Sequence, residues 1–129
     1  MHYVMRHSVL EKLLENYSNI RSHYCGLLKA HRKNYSNKKP SYEIDEADGK
    51  LKAYDEVMTH EDFKRPLDYD ATTGWRWVDT VVLNNAIYQI GKLKRELASY
   101  TEKSADYYYT KGRLEGFSEI IAELHYTGK

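Results

Sequence analysis

The chain has 129 residues and a formal net charge of +1; 30% of its side chains are charged and 41% hydrophobic, and it holds only two prolines and seven glycines. That fits a single domain, 1–129, with a modest core, and excludes a disordered polyampholyte. The balanced charge removes any whole-molecule attraction to nucleic acid, and the lone Cys25 excludes an internal disulfide or a cysteine metal cluster.

The first residues, Met1–Arg6, lack the apolar run of a signal peptide, and no stretch approaches the roughly 20 apolar residues that span a bilayer. A cytoplasmic protein with no membrane partner is the expectation. Ser8 followed by Glu11 reads as a capping box. From there Leu10, Leu13, Tyr17, Ile20, Tyr24, Leu27 and His31 recur at steps of three and four, predicting a helix to about Asn34. Pro40 and its small polar neighbours turn the chain. A second helix begins between Ser41 and Asp45, with Ile44, Ala47, Leu51, Tyr54 and Met58 inward.

Residues 59–78 are the least helical, with Pro66 and Gly74 inside them. Alternation around Leu67, Tyr69, Trp75 and Trp77 predicts an irregular excursion or a short β-hairpin insertion. A third helix follows Asp79 or Thr80, with Leu83, Ala86, Ile90, Leu93, Leu97 and Tyr100 inward. A fourth runs from Ser104 to about Tyr126, with Tyr107, Leu114, Phe117, Ile121 and Leu124 inward. Without a break near 101–106, residues 79–126 would form one rod of about 70 Å that needs a second chain, a homodimer. With the break, the class is all-α, a helical bundle of about four helices.

Glycine recurs inside these helices at an expected cost of about 1 kcal/mol each. Gly49-Lys50-Leu51-Lys52-Ala53 and Gly112-Arg113-Leu114-Glu115-Gly116 echo one another, and Gly91-Lys92-Leu93-Lys94-Arg95 is a shorter echo. Close approach of helix backbones is the expected compensation. Duplication of a helical unit is the other reading of the echo.

Charge is segregated: residues 1–39 carry 8 basic and 2 acidic side chains, and residues 40–80 carry 5 basic and 11 acidic. Lys29, Arg32, Lys33, Lys38 and Lys39, with Tyr35 among them, form a candidate phosphate and base contact. Equally, cations at a helix C-terminus complement its dipole. Glu43, Asp45 and Glu46 complement a helix start or present a negative patch to a partner protein. Trp75, Arg76 and Trp77 combine the residue types that dominate interaction hot spots. Asp68, Asp70, Thr72 and Asp79 have calcium-loop spacing, but Thr73 stands where the loop needs glycine. The six histidines show no metal-ligand spacing, and neither a phosphate-binding glycine loop nor a nucleophile motif is present. The expectation is therefore no enzyme, no metal and no cofactor.

The run Tyr107-Tyr108-Tyr109-Thr110-Lys111-Gly112-Arg113-Leu114-Glu115-Gly116-Phe117-Ser118-Glu119-Ile120-Ile121 resembles helices in small accessory proteins of Gram-positive bacteriophages and mobile elements. Some of these are anti-CRISPR-type inhibitors of host defence. The resemblance implies a non-catalytic interaction module in the host cytoplasm, occupying a surface of a host effector protein. Its partner-binding candidates are Trp75, Arg76, Trp77, Glu43, Asp45 and Glu46. The alternatives are a nucleic-acid-binding accessory protein using the basic first helix and linker, or a protein sequestering a small ligand in a tyrosine-lined pocket at a subunit interface.

Overall fold

Four helices carry the fold of this computed structural model, which describes residues 2–33, 42–59, 68–69, 75–123 and 125–126. In chain order the elements are β1 (His2–Arg6), α1 (His7–Lys33), α2 (Glu43–Met58), β2 (Asp68–Tyr69), β3 (Trp75–Asp79), α3 (Thr80–Ser99), α4 (Ala105–Ala122) and β4 (His125–Tyr126). α1 is the longest, about 40 Å at the usual helical rise.

Parts of the predicted stripes meet in one core, whereas Tyr100, expected inward, is exposed, and Tyr24 and Leu27 lie outside the buried cluster. Leu10 and Leu13 of α1, Ala53, Tyr54, Val57 and Met58 of α2, Leu83, Ala86 and Leu93 of α3, and Phe117 and Ile120 of α4 form a single buried cluster. α4 packs against both α2 and α3, so its apolar residues do not lie in one narrow stripe. Its buried face is Thr110, Gly112, Gly116, Phe117 and Ile120, with Tyr107, Leu114 and Ile121 only half-buried. Of the inward residues expected for this helix, Phe117 is the one fully buried, and Leu124 lies outside the described residues.

The α2–α4 contact is a matched crossing. A Cβ placed on Gly49 would strike the Tyr109 carbonyl oxygen and the Arg113 nitrogen, both inside the 3.0 Å that real Cβ atoms keep. A Cβ on Gly112 would strike the Glu46 carbonyl oxygen and approach the Lys50 nitrogen at 3.0 Å. Each glycine thus faces the residues three before and one after its counterpart. Four residues further on, a Cβ at Gly116 would lie 2.7 Å from the Ala53 Cβ. The flanking ion pairs repeat the pattern: Lys50 Nζ to Glu119 Oε1 at 2.6 Å, and Arg113 Nη2 to Glu56 Oε1 at 3.2 Å. Each joins the residue one after one glycine to the residue seven after the other.

Tyr54 and Phe117, then Val57 and Ile120, are buried at equal distances from their glycines. Matched positions advance together along both helices, so α2 and α4 run parallel and are related by a local two-fold. The third echo does not join them: Gly91 has only Arg95 Nη1 nearby, at an ordinary 3.7 Å.

α1 runs against α2. Tyr17 donates a hydrogen bond to Asp55 Oδ1 and stacks over Tyr54 at 6.3 Å, while His23, further along α1, lies by the start of α2.

The four strands form one sheet in the order β2-β3-β1-β4, all pairs antiparallel. A separate hairpin insertion at 59–78 is not supported. β3 pairs along its whole length with β1 at the start of the chain, from Arg6 opposite Trp75 to His2 opposite Asp79. Among the described residues, Asp68 and Tyr69 pair with its other side, opposite Trp77 and Arg76. The fourth helix stops at Ala122, short of the expected Tyr126, because His125 and Tyr126 pair with Val4 and Tyr3 of β1.

Candidate functional site

α2 and α4 run parallel, so their first turns open at the same end of the bundle, away from the sheet into which α4 leads. Tyrosines from three segments converge there. Tyr42, just before α2, stacks on Tyr108 with centroids 4.9 Å apart and planes 9° from parallel. Tyr107 meets Tyr108 edge-on at 5.2 Å, and Tyr100 meets Tyr107 edge-on at 6.2 Å. The Tyr100 hydroxyl is 3.4 Å from Thr110 Oγ1, and Lys111 Nζ sits 6.0 Å over the Tyr108 ring. This ladder arises because the tyrosine run at 107–109 shares the end of the bundle with the chain entering α2 and leaving α3.

Carboxylates surround the ladder. Glu43, Asp45 and Glu46 occupy the first turn of α2, Asp48 follows, and Asp106 lies in the first turn of α4. Partial burial raises the Asp45 carboxyl above its ordinary pKa, and the charges of Asp48 and Asp106 raise it further. Two helix starts favour negative charge here, yet the carboxylates still repel one another.

Beside the ladder is an open cleft of about 400 Å³ lined by His23, Glu43, Glu46, Ala47, Lys50 and Glu115. Glu46 lies three residues before Gly49 and Glu115 three after Gly112, so the glycine crossing brings them together. They share a hydrogen bond. Burial, that bond and the Glu46 charge raise the Glu115 pKa against the opposing pull of Lys111 and Lys50. Lys111 Nζ is 3.8 Å from Glu46 Oε1 and 4.0 Å from Glu115 Oε1, while Lys50 is engaged with Glu119. The lining is charged rather than tyrosine-rich, unlike the expected small-ligand pocket. Among the described residues no group of three or more His, Cys, Asp or Glu is arranged to hold a metal ion.

This geometry predicts a pH dependence. A carboxyl that holds its proton more tightly in the fold stabilises the fold below the ordinary carboxylate range. That contribution is lost as pH rises through the raised value. Glu115→Gln keeps a donor toward Glu46 and removes one charge. It should gain up to about 0.5 kcal/mol over the wild type near pH 7, Glu115 being partly exposed, and nothing near pH 4. Urea titrations at the two pH values check this, and a variant destabilised equally at both is inconsistent with the repulsive pair.

The predicted site residues fall into separate places. Glu43, Asp45 and Glu46 join the tyrosine ladder. Trp75, Arg76 and Trp77 lie in β3, with a strand on each side, toward the other end of α4, about 25 Å away by helical rise. The set expected to act together is therefore divided between the two ends of the bundle. Lys29 is exposed on the last turns of α1, and Arg32 and Lys33 end that helix. Tyr35, Lys38 and Lys39 lie outside the described residues, as do Asp70 and Thr72 of the calcium-like spacing. Tyr42, Asp106, Tyr107, Tyr108 and Glu115 belong to the site and were not singled out as binding residues by sequence. Their signal is the glycine echo, which aligns the two segments once the helices are known to cross there.

Comparison with known protein families, with curated proteins and with solved structures gives no match to this chain. Among the described residues no helix is long and apolar enough to cross a membrane.

Proposed function

We propose that the protein is a non-catalytic interaction module whose acidic, tyrosine-lined bundle end occupies a basic surface of a partner protein. The observation that carries this reading is Asp45. Partial burial first, and then the charges of Asp48 and Asp106, hold its carboxyl above its ordinary pKa beside the half-buried aromatic ladder, and a cationic partner would offset that repulsion. Tyrosine supplies rigid contact area with a polar tip, suited to a surface that alternates between water and a partner.

The likeness of residues 107–121 to phage accessory proteins supports a host defence effector as that partner, blocked in the manner of anti-CRISPR inhibitors. Such effectors carry basic nucleic-acid channels, which match the sign of this surface.

The test is titration against a panel of purified CRISPR effector nucleases, with and without guide RNA. Asp45→Lys plus Asp106→Lys should weaken binding tenfold or more, and added salt should weaken wild-type binding. Trp75→Ala plus Trp77→Ala should leave it within a few fold. Binding by a folded charge-reversal variant at wild-type affinity, or no binding across the panel, defeats the proposal.

A further inference from the structure

The α3–α4 corner is made of residues that would continue a helix. Tyr100 to Ser104 contain neither glycine nor proline. α3 ends with no basic residue in its last turn. Its final hydroxyl, Ser99 Oγ, donates back to Glu96 O at 2.6 Å, and Tyr100 N–H reaches Leu97 O at 3.4 Å. Ser104, at the N-cap of α4, makes no side-chain capping bond. The local sequence therefore does little to stop α3, and α4 starts without a side-chain cap, on the Ser104 backbone and the Asp106 charge in its first turn. What holds the corner is tertiary: Tyr100 against Tyr107 and Thr110, and above all the seating of α4 on α2.

That seat depends on no chain connection. Gly49 against Tyr109 and Arg113, Gly112 against Glu46 and Lys50, and the two ion pairs are contacts between α2 and an α4, whichever copy supplies it. β4 follows α4 after two residues and pairs with β1, so it travels with the helix.

We propose that the chain forms an exchanged dimer. In it α3 and α4 run on as one helix of about 65 Å, and α4 with β4 fills the seat on α2 of a second copy. The exchanged form keeps every α2–α4 contact and adds helical hydrogen bonds through residues 100–104. Its costs are the Tyr100 contacts to Tyr107 and Thr110 of the same chain, which a continuous helix breaks, and the entropy of association, which makes it concentration-dependent. The occupant of the α2 surface is thus a second copy of this chain, specified by the same glycine crossing that closes the monomer.

The experiment refolds a mixture of isotope-labelled and unlabelled full-length chains at low and high concentration. Mass is then read by size exclusion with light scattering. A zero-length carbodiimide reagent couples Lys50 to Glu119, an ion pair of 2.6 Å. In the monomer this link lies within one chain; in the exchanged dimer it joins labelled to unlabelled chains.

The dimer fraction should rise with refolding concentration. It should be several-fold higher for Thr101→Ala plus Ser104→Ala, which favours helix through the corner. It should fall for Glu102→Gly plus Lys103→Gly, which loosens it. The proposal is overturned by a folded chain that stays monomeric at every concentration even with the two alanines. It is equally overturned by a dimer whose Lys50–Glu119 link remains within single chains.

Discussion

Gly49→Ala and Gly112→Ala should each destabilise the fold by about 3 kcal/mol, with a fall in Tm of about 10 °C, although alanine is the better helix former. The added methyl gains about 1 kcal/mol in helix propensity. Against that, it meets backbone atoms of the opposite helix, which cannot rotate away as a side-chain tip can. α2 and α4 must separate, and the buried contacts around Tyr54, Val57, Phe117 and Ile120 loosen with them. Gly91→Ala and Gly26→Ala provide the control. The first has an arginine tip at 3.7 Å and the second nothing within 4 Å, so both should stabilise by about 0.5–1 kcal/mol. Urea unfolding of the four variants decides the matter: the same sign of change at all four positions would mean that the helices do not cross at these glycines.

The same comparison shows what the sequence could reveal. The three echoes look alike through glycine, cation and leucine, but the fourth residue after the glycine separates them. It is Ala53 in the first, Gly116 in the last and Arg95 in the middle one. Two small residues one turn apart make a groove that admits a backbone; a glycine followed by arginine does not. That signal was legible, and so were the helices themselves, because steps of three and four through Leu10, Leu51 and Leu83 reflect burial on one side. The buried face of α4 was harder to read. It touches two neighbours, and its deepest contacts are made by Gly112 and Gly116, which carry no hydrophobic signal.

The sheet was hidden for a different reason. Trp75–Asp79 pairs with His2–Arg6 some seventy residues away, and nothing local in either segment names the other. The candidate binding end was half visible. Glu43, Asp45 and Glu46 stand out as a run, whereas Asp106 and Glu115 join them only through the crossing.

Phe117→Ala should cost about 4 kcal/mol, the largest effect of any single truncation proposed for this core. The ring has no solvent exposure and lies in the same buried cluster as residues of α1, α2 and α3, so its removal leaves a cavity that rigid neighbours on several sides cannot close. Its counterpart across the local two-fold behaves differently under a conservative change. Tyr54 is equally buried, but its hydroxyl donates to Glu119 Oε2 at 2.8 Å, and burial together with that carboxylate pushes the phenol well above its ordinary pKa. Tyr54→Phe should cost only about 1–1.5 kcal/mol, because Glu119 keeps Lys50 as a partner. Phe117→Tyr should cost a similar amount, since it adds a hydroxyl to a ring with no solvent exposure. Chemical denaturation with an unchanged m-value separates these cases. A loss below about 2 kcal/mol for Phe117→Ala would mean that the site collapses around the missing ring, and that α4 is held by its glycine contacts far more than by its aromatic one.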